Sequence, residues 1–236
     1  MDASGYVTLS RQSGLLHQMD VIANNIANTS TSGFRREGTL FSEFITRAGD
    51  APSLSMGFGN TRVVDQTQAG ITQTGGSLDM AIQGDGFFLI DTPQGQRMTR
   101  SGNFTPGPDG TLQTVDGFNV LDAGGSSIFI PPDAHNIALA QDGTLSADGK
   151  ALSKIGLWGP VNPLTLTHQF GTMFSADAVQ PAEGARIMQG YLEDSNVDPI
   201  REVSSMIAVQ RAYELGQSFL DREDDRARNV IQTLGR

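Results

Sequence analysis

The sequence predicts an α+β fold. Long helices at the two ends of the chain pair in a coiled-coil-like manner, and a central all-β domain of hairpins is inserted between them. Three observations predict this. Near the N-terminus Leu9, Leu16 and Ala23 recur at heptad spacing, with Met19 and Ile26 at the interleaved positions. Near the C-terminus Val203, Met206, Tyr213, Leu220, Ala227, Ile231 and Leu234 fall on alternating short helical steps. The middle instead carries short β-type runs between closely spaced Gly-containing turns. The expected divisions are an N-terminal helix and its stop at 1–34, an extended arm at 35–69, the β-domain at 70–190 and a C-terminal helix at 191–236.

The first helix is expected from Ser4 to Asn28, roughly 37 Å long at the α-helical rise. Leu15 and Ile22 widen its apolar stripe. It is too polar to be stable alone in water. Asn24, Asn25 and Asn28 are poor helix formers, so their amides are expected to make specific hydrogen bonds that fix register. Thr29 to Gly33 then stops the helix, with Gly33 free to take a positive φ. In the arm, Leu40, Phe41, Phe44 and Ile45 suggest a short amphipathic helix or hairpin. Ala51-Pro52-Ser53 and Met56-Gly57-Phe58-Gly59 are expected to interrupt any long element.

From Gly70 the Asp-Gly pairs at 109, 116, 142 and 148 mark turns of type I′ or related form. Phe87-Phe88-Leu89-Ile90 reads as a buried strand, and Ile128-Phe129-Ile130 and Ile155-Gly156-Leu157-Trp158 as others. Asp109-Gly110-Thr111-Leu112 is echoed by Asp142-Gly143-Thr144-Leu145, which marks two similar hairpins. Ser195 and Asp198 before Pro199 form an approximate capping box. The helix that follows spans roughly 55 Å, and its seam is interrupted by Gln210, Gln217 and Asp224. Ile207, Val209, Ala212 and Phe219 lie off that seam, so two faces of this helix need partners.

The chain has 236 residues, 38% of them hydrophobic and 18% charged, with a net charge of −10. That balance argues against nucleic acid and against anionic membrane surfaces. There are no cysteines, so no disulfide scaffold and no thiolate metal site. The N-terminus lacks the basic and apolar regions of a cleaved signal peptide, and no run is apolar enough to span a membrane. His17, His135 and His168 are scattered without ligand spacing. Gly84-Asp85-Gly86 lacks the third glycine of a nucleotide loop, and the Asp-Gly pairs lack the spacing of a calcium loop. No catalytic residue, cofactor or metal site is expected.

The stretch Asn24, Asn25, Ile26, Ala27, Asn28, Thr31, Gly33, Phe34 and Arg35 resembles the N-terminal signature of the bacterial flagellar rod and hook proteins. The runs Leu78 to Phe88 and Thr99 to Phe104 resemble that family's shared β-domain. Glu193, Ser195, Asn196, Val197, Glu202, Met206, Ile207, Gln210, Arg211, Ala212, Tyr213 and Glu214 resemble its C-terminal signature. Leu215-Gly216-Gln217 departs from the pattern, and Gly216 costs about 1 kcal/mol of helix propensity against Ala. The opening residues, Leu9-Ser10-Arg11-Gln12 among them, look most like the proximal-rod member.

The resemblance implies a non-enzymatic subunit of the basal-body rod in the periplasmic space. Its partners would be copies of itself, other rod proteins and the flagellar type III export apparatus, and it would build a helical tube that transmits torque from motor to hook. The expected subunit-interaction residues are Asn24, Asn25, Ile26, Asn28, Gly33, Phe34, Val203, Met206, Ile207, Gln210, Tyr213 and Leu220. A distal-rod or hook-type member is the alternative. A secreted β-rich adhesin or enzyme would leave the paired apolar ends unexplained, and the absence of a basic polar face weakens a membrane-active helix.

Overall fold

The structure, a computed structural model, describes residues 3–48 and 51–234. Met1 and Asp2, and the side chains of Phe41, Phe44, Ile45, Ala227, Ile231 and Leu234, lie outside the described residues. Helix α1 spans Ala3–Ala27 and helix α2 spans Pro199–Leu234. Strands β1 (Glu37–Ala48) and β2 (Ala51–Val64) pair in a two-stranded sheet. Together with α1 and α2, this hairpin forms one compact unit; the loop Asn28–Arg36 and the segment Val64–Val197 form a second.

The first unit corrects the expected fold class. A continuous coiled coil of the two terminal helices is not what the chain forms. A β-hairpin shares their unit, and the helices bury only a short apolar cluster: Leu15, Ile22 and Val209, flanked by Met19, Ile26, Met206, Ala212 and Tyr213. The heptad line Leu9, Leu16 and Ala23 is exposed. The inward line of α1 is instead Leu15, Met19, Ile22 and Ile26, spaced alternately four and three residues apart on a neighbouring face of the helix. On α2, Met206, Tyr213 and Leu220 lie on the inner face, but the positions that alternate with them are Glu202 ahead of Met206, then Val209 and Gly216. Gln210 and Gln217 therefore interrupt nothing; both are exposed. A one-residue shift in alternate positions rotates the seam by roughly 100° at those points, which converts an apparently broken seam into a nearly continuous one.

The arm also differs from expectation. β2 runs through Pro52, Gly57 and Gly59 without interruption. In a two-stranded sheet each strand has an unpaired edge, which tolerates residues that a central strand would reject. The C-terminal cap is displaced too: Asp198 is the N-cap residue, its Oδ1 accepting from the N–H groups of Ile200 (3.0 Å) and Arg201 (3.2 Å). Pro199 opens the helix as expected.

The second unit is built on a nine-stranded antiparallel sheet centred on Phe87–Thr92. That strand pairs with Gly95–Thr99, Asn119–Val120 and Leu157–Pro160. Its alternate residues feed two cores, one containing Phe88 and Ile90, the other Phe87 and Leu89. The unit is not made of local hairpins alone. Arg186–Gln189 pairs with Met80–Gln83, and Tyr191–Glu193 with Ile71–Gln73. The end of the domain is thereby sewn to its beginning. Ile128-Phe129-Ile130 makes only an isolated bridge, Thr111 with Phe129, although Ile128 and Ile130 are buried.

The echoed hairpins share one turn chemistry. Asp109 accepts from the N–H and hydroxyl of Thr111 (3.2 and 2.7 Å), and Asp142 from those of Thr144 (3.1 and 2.9 Å). Of the four Asp-Gly pairs at these turns, only Asp148-Gly149 has both residues at positive φ, as type I′ demands.

Candidate subunit-interaction site

In the first unit the N-terminal signature is spent on three-way closure. Asn25 is wholly buried. Its Oδ1 accepts the Glu37 N–H at 2.9 Å, and its Nδ2 donates to the Glu37 carbonyl at 2.8 Å and to Glu202 Oε2 at 3.2 Å. One amide thus fastens α1 to the first residue of β1 and to the first turns of α2. Glu37 is buried as well, and its carboxylate accepts from Asn24 Nδ2 and from Arg62, each at 3.4 Å. A carboxylate at this depth needs such partners, because burial without them costs several kcal/mol.

One bond higher, Gln12 Nε2 donates to the Tyr213 carbonyl at 3.0 Å. A Cβ built on Gly216 would lie 2.3 Å from that nitrogen. Gly216 is therefore the opening through which the Gln12 amide reaches the α2 backbone. The residue that departs from the family pattern is matched to a partner on α1.

In the second unit three stretches far apart in sequence converge. Glu193 is buried between two guanidinium groups, 2.9 Å from Arg35 and 2.7 Å from Arg100. Arg100 also donates to the Gly84 and Gly86 carbonyls, and Arg35 to the Thr67 carbonyl. Burial, and next the charge of Arg100, hold the Arg35 pKa down at about 10, so it remains charged at neutral pH. Gly33, at φ +73°, donates its N–H to the Glu193 carbonyl at 2.8 Å, and a Cβ there would collide with the backbone of Arg100 and Ser101. Phe34 is fully buried and meets His168 edge-on, centroids 5.5 Å apart. Asn196 Oδ1 accepts the Arg36 N–H at 2.6 Å, and its Nδ2 donates to the Asp65 and Thr67 carbonyls at 3.0 Å.

The structure therefore divides the expected interaction residues. Asn25, Gly33 and Phe34 are buried within the chain, and Ile26, Met206 and Tyr213 pack around the α1–α2 cluster. Asn28 Oδ1 accepts the Thr31 hydroxyl at 3.1 Å, Leu220 is half-buried, and Asn24 is turned to Glu37. Val203, Ile207 and Gln210 are exposed. Sequence reasoning missed Gln12, Glu37 and Arg62, whose roles depend on contacts that no helical or strand period reports. Gly216 was the one visible trace of Gln12. Among the described residues no group of three or more His, Asp or Glu side chains is placed to hold a metal ion, and no helix is long and apolar enough to cross a membrane.

In both units the buried polar groups tie chain segment to chain segment, an arrangement that suits a structural subunit. The comparisons agree. Family models match at residues 6–35 (flagella basal body rod protein), 81–147 (flagellar hook protein FlgE/F/G D1 domain) and 188–233 (flagellar basal body rod FlgEFG protein C-terminal). The chain is 37% identical over 245 residues to the flagellar basal-body rod protein FlgF of Caulobacter vibrioides, covering 100% of this chain and 99% of the relative. It is 34% identical over 240 residues to FlgF of Mesorhizobium japonicum, with the same coverage. To FlgG of Bacillus subtilis it is 31% identical over 258 residues, covering 97% and 96%. The chain belongs to the flagellar basal-body rod protein family.

Proposed function

We propose that this chain is a proximal-rod subunit: a non-enzymatic building block that joins copies of itself and other rod proteins in a helical tube carrying torque from motor to hook. It would reach the periplasmic space through the flagellar type III export apparatus. The observation that carries this reading is the exposed apolar row Ile200, Val203 and Ile207 on α2, facing away from the α1–α2 cluster. A lone chain leaves that row in water, and neighbouring subunits would cover it. Three FlgF relatives, at 37, 34 and 33% identity, stand above the FlgG relatives at 29–32%, though a fourth FlgF matches at 31%, and this balance supports the proximal over the distal rod.

The test is Val203→Asp combined with Ile207→Asp, expressed in place of the native chain. Both side chains are exposed, so the fold should persist while incorporation into isolated basal bodies and swimming are lost. Normal motility with both substitutions would overturn the reading. Images of basal bodies lacking the chain would assign its level in the rod.

A further inference from the structure

We propose that the groove between α1 and α2 is the seat for the outward row of α2 from a second copy of this chain, an inference that rests on the rod-subunit reading above. The groove encloses about 410 Å³ and is walled by Val7, Leu15, Ala212, Leu215 and Phe219. At its floor lies Gln12, 95% buried, whose Nε2 is committed to the Tyr213 carbonyl and whose Oε1 has no hydrogen-bond partner. A buried acceptor without a donor is destabilising, and an arriving donor satisfies it. Arg11 stands on the same wall, with no carboxylate partner among the described residues.

The same chain carries the complement. Ile200, Val203, Ile207, Gln210 and Glu214 form one exposed row along α2. Gln210 offers an amide donor in the row, and Glu214, one turn on, offers a carboxylate. Neither has a side-chain partner among the described residues. Gln210 of one copy donates to Gln12 Oε1 of the next, Glu214 meets Arg11, and Val203 and Ile207 enter the apolar part of the groove. Row and groove lie on opposite sides of α2, roughly 150° apart at 100° per residue. A contact between unlike faces of identical copies is head-to-tail, and it builds a helical array wherever the rotation between copies does not close a ring.

The absence of cysteine in the chain makes the test direct. Gln12→Cys and Gln210→Cys are placed together in the full-length chain, expressed in place of the native one, and isolated basal bodies are treated with a short bis-maleimide. The expected result is a ladder of covalent multimers of this chain, with no ladder from either single variant. Double-variant chain that sits in basal bodies yet stays monomeric, or that is captured only by a protein of another mass, overturns the groove assignment while leaving the rod reading intact. Wild-type chain missing from basal bodies defeats both. A charge exchange covers the case of poor incorporation. Arg11→Glu alone loses incorporation and Arg11→Glu with Glu214→Arg regains it; failure of the pair to regain it counts against the contact.

Discussion

Asn25 and Glu37 are joined like paired residues of a β-ladder, although one lies on a helix and the other begins a strand. The Asn25 amide supplies the acceptor for the Glu37 N–H at 2.9 Å and the donor for its carbonyl at 2.8 Å. Its second hydrogen goes to Glu202. The task requires one acceptor and two donors in a plane, which only a carboxamide side chain provides. This explains why a helix tolerates a poor helix former here: the lost propensity is a few tenths of a kcal/mol, and the three bonds close three elements at once.

Asn25→Ala should strand the Glu37 N–H and carbonyl in the interior and remove a donor from the Glu202 carboxylate. The expected loss is about 3 kcal/mol for the helical unit. The single tryptophan, Trp158, lies in the other unit, so its fluorescence and the helical circular dichroism report on different parts of the chain. In urea the helical signal should melt earlier, while the Trp158 transition stays in place. Coincident shifts of both would show that Asn25 does not act through the helical unit alone.

Gly216 and Gln12 should behave as a coupled pair. Alanine in place of a mid-helix glycine ordinarily gains about 1 kcal/mol. Here the new methyl group would meet Gln12 Nε2 at 2.3 Å and displace the bond to Tyr213. Gly216→Ala should therefore be neutral or destabilising in the native chain and stabilising once Gln12→Ala has removed the amide. A double-mutant cycle measures the change of sign; additive effects would reject the pairing.

Much of this was legible in the residues. The two terminal helices, the stop at Gly33, the buried strand at Phe87 and the echoed Asp-Gly-Thr-Leu turns all follow from local period and turn chemistry. What local pattern did not carry was facing. Leu9 and Leu16 fit a heptad as well as Leu15 and Ile22 do, and only the position of α2 and β1 decides between them. Polar residues misled for the same reason. Gln210 looked like a flaw in a seam and lies outside it, while Glu202, a charged residue, lies within it because Asn25 satisfies it. The pairing of Arg186–Gln189 with Met80–Gln83 is a long-range choice that no single segment encodes.

Glu193→Gln should be among the most damaging substitutions in the β-unit. Two guanidinium groups, Arg35 and Arg100, share that one carboxylate in the interior. Neutralising it leaves two buried positive charges near each other, and breaking a buried pair in this way costs about 3–5 kcal/mol. The Trp158 transition should fall accordingly. Arg35→Met with Glu193→Gln should restore part of the loss, since it removes one of the unmatched charges; no recovery would mean that the Arg35 contact contributes little.

Asp122 gives the fold a sensitivity to acid whose direction can be worked out. Its Oδ1 accepts from the N–H groups of Ser126 and Gly124 at 2.8 Å, and its Oδ2 from the Ser153 hydroxyl at 3.1 Å. The bond from Ser126 is the chief cause that lowers its pKa; partial burial opposes it, and the result is a carboxyl held below the ordinary aspartate range. In the unfolded chain the same group titrates at about pH 3.9. Above that value both states are ionised and the full advantage is present. As pH falls further, the unfolded chain takes up the proton first, so stability drains away until the folded carboxyl is protonated too. Asp122→Ala should therefore destabilise the β-unit clearly at neutral pH and progressively less as pH falls below the ordinary aspartate range, as read from paired urea titrations of Trp158 fluorescence. A penalty that stays constant across that range would show that the loop is held by its backbone bonds and not by the charge.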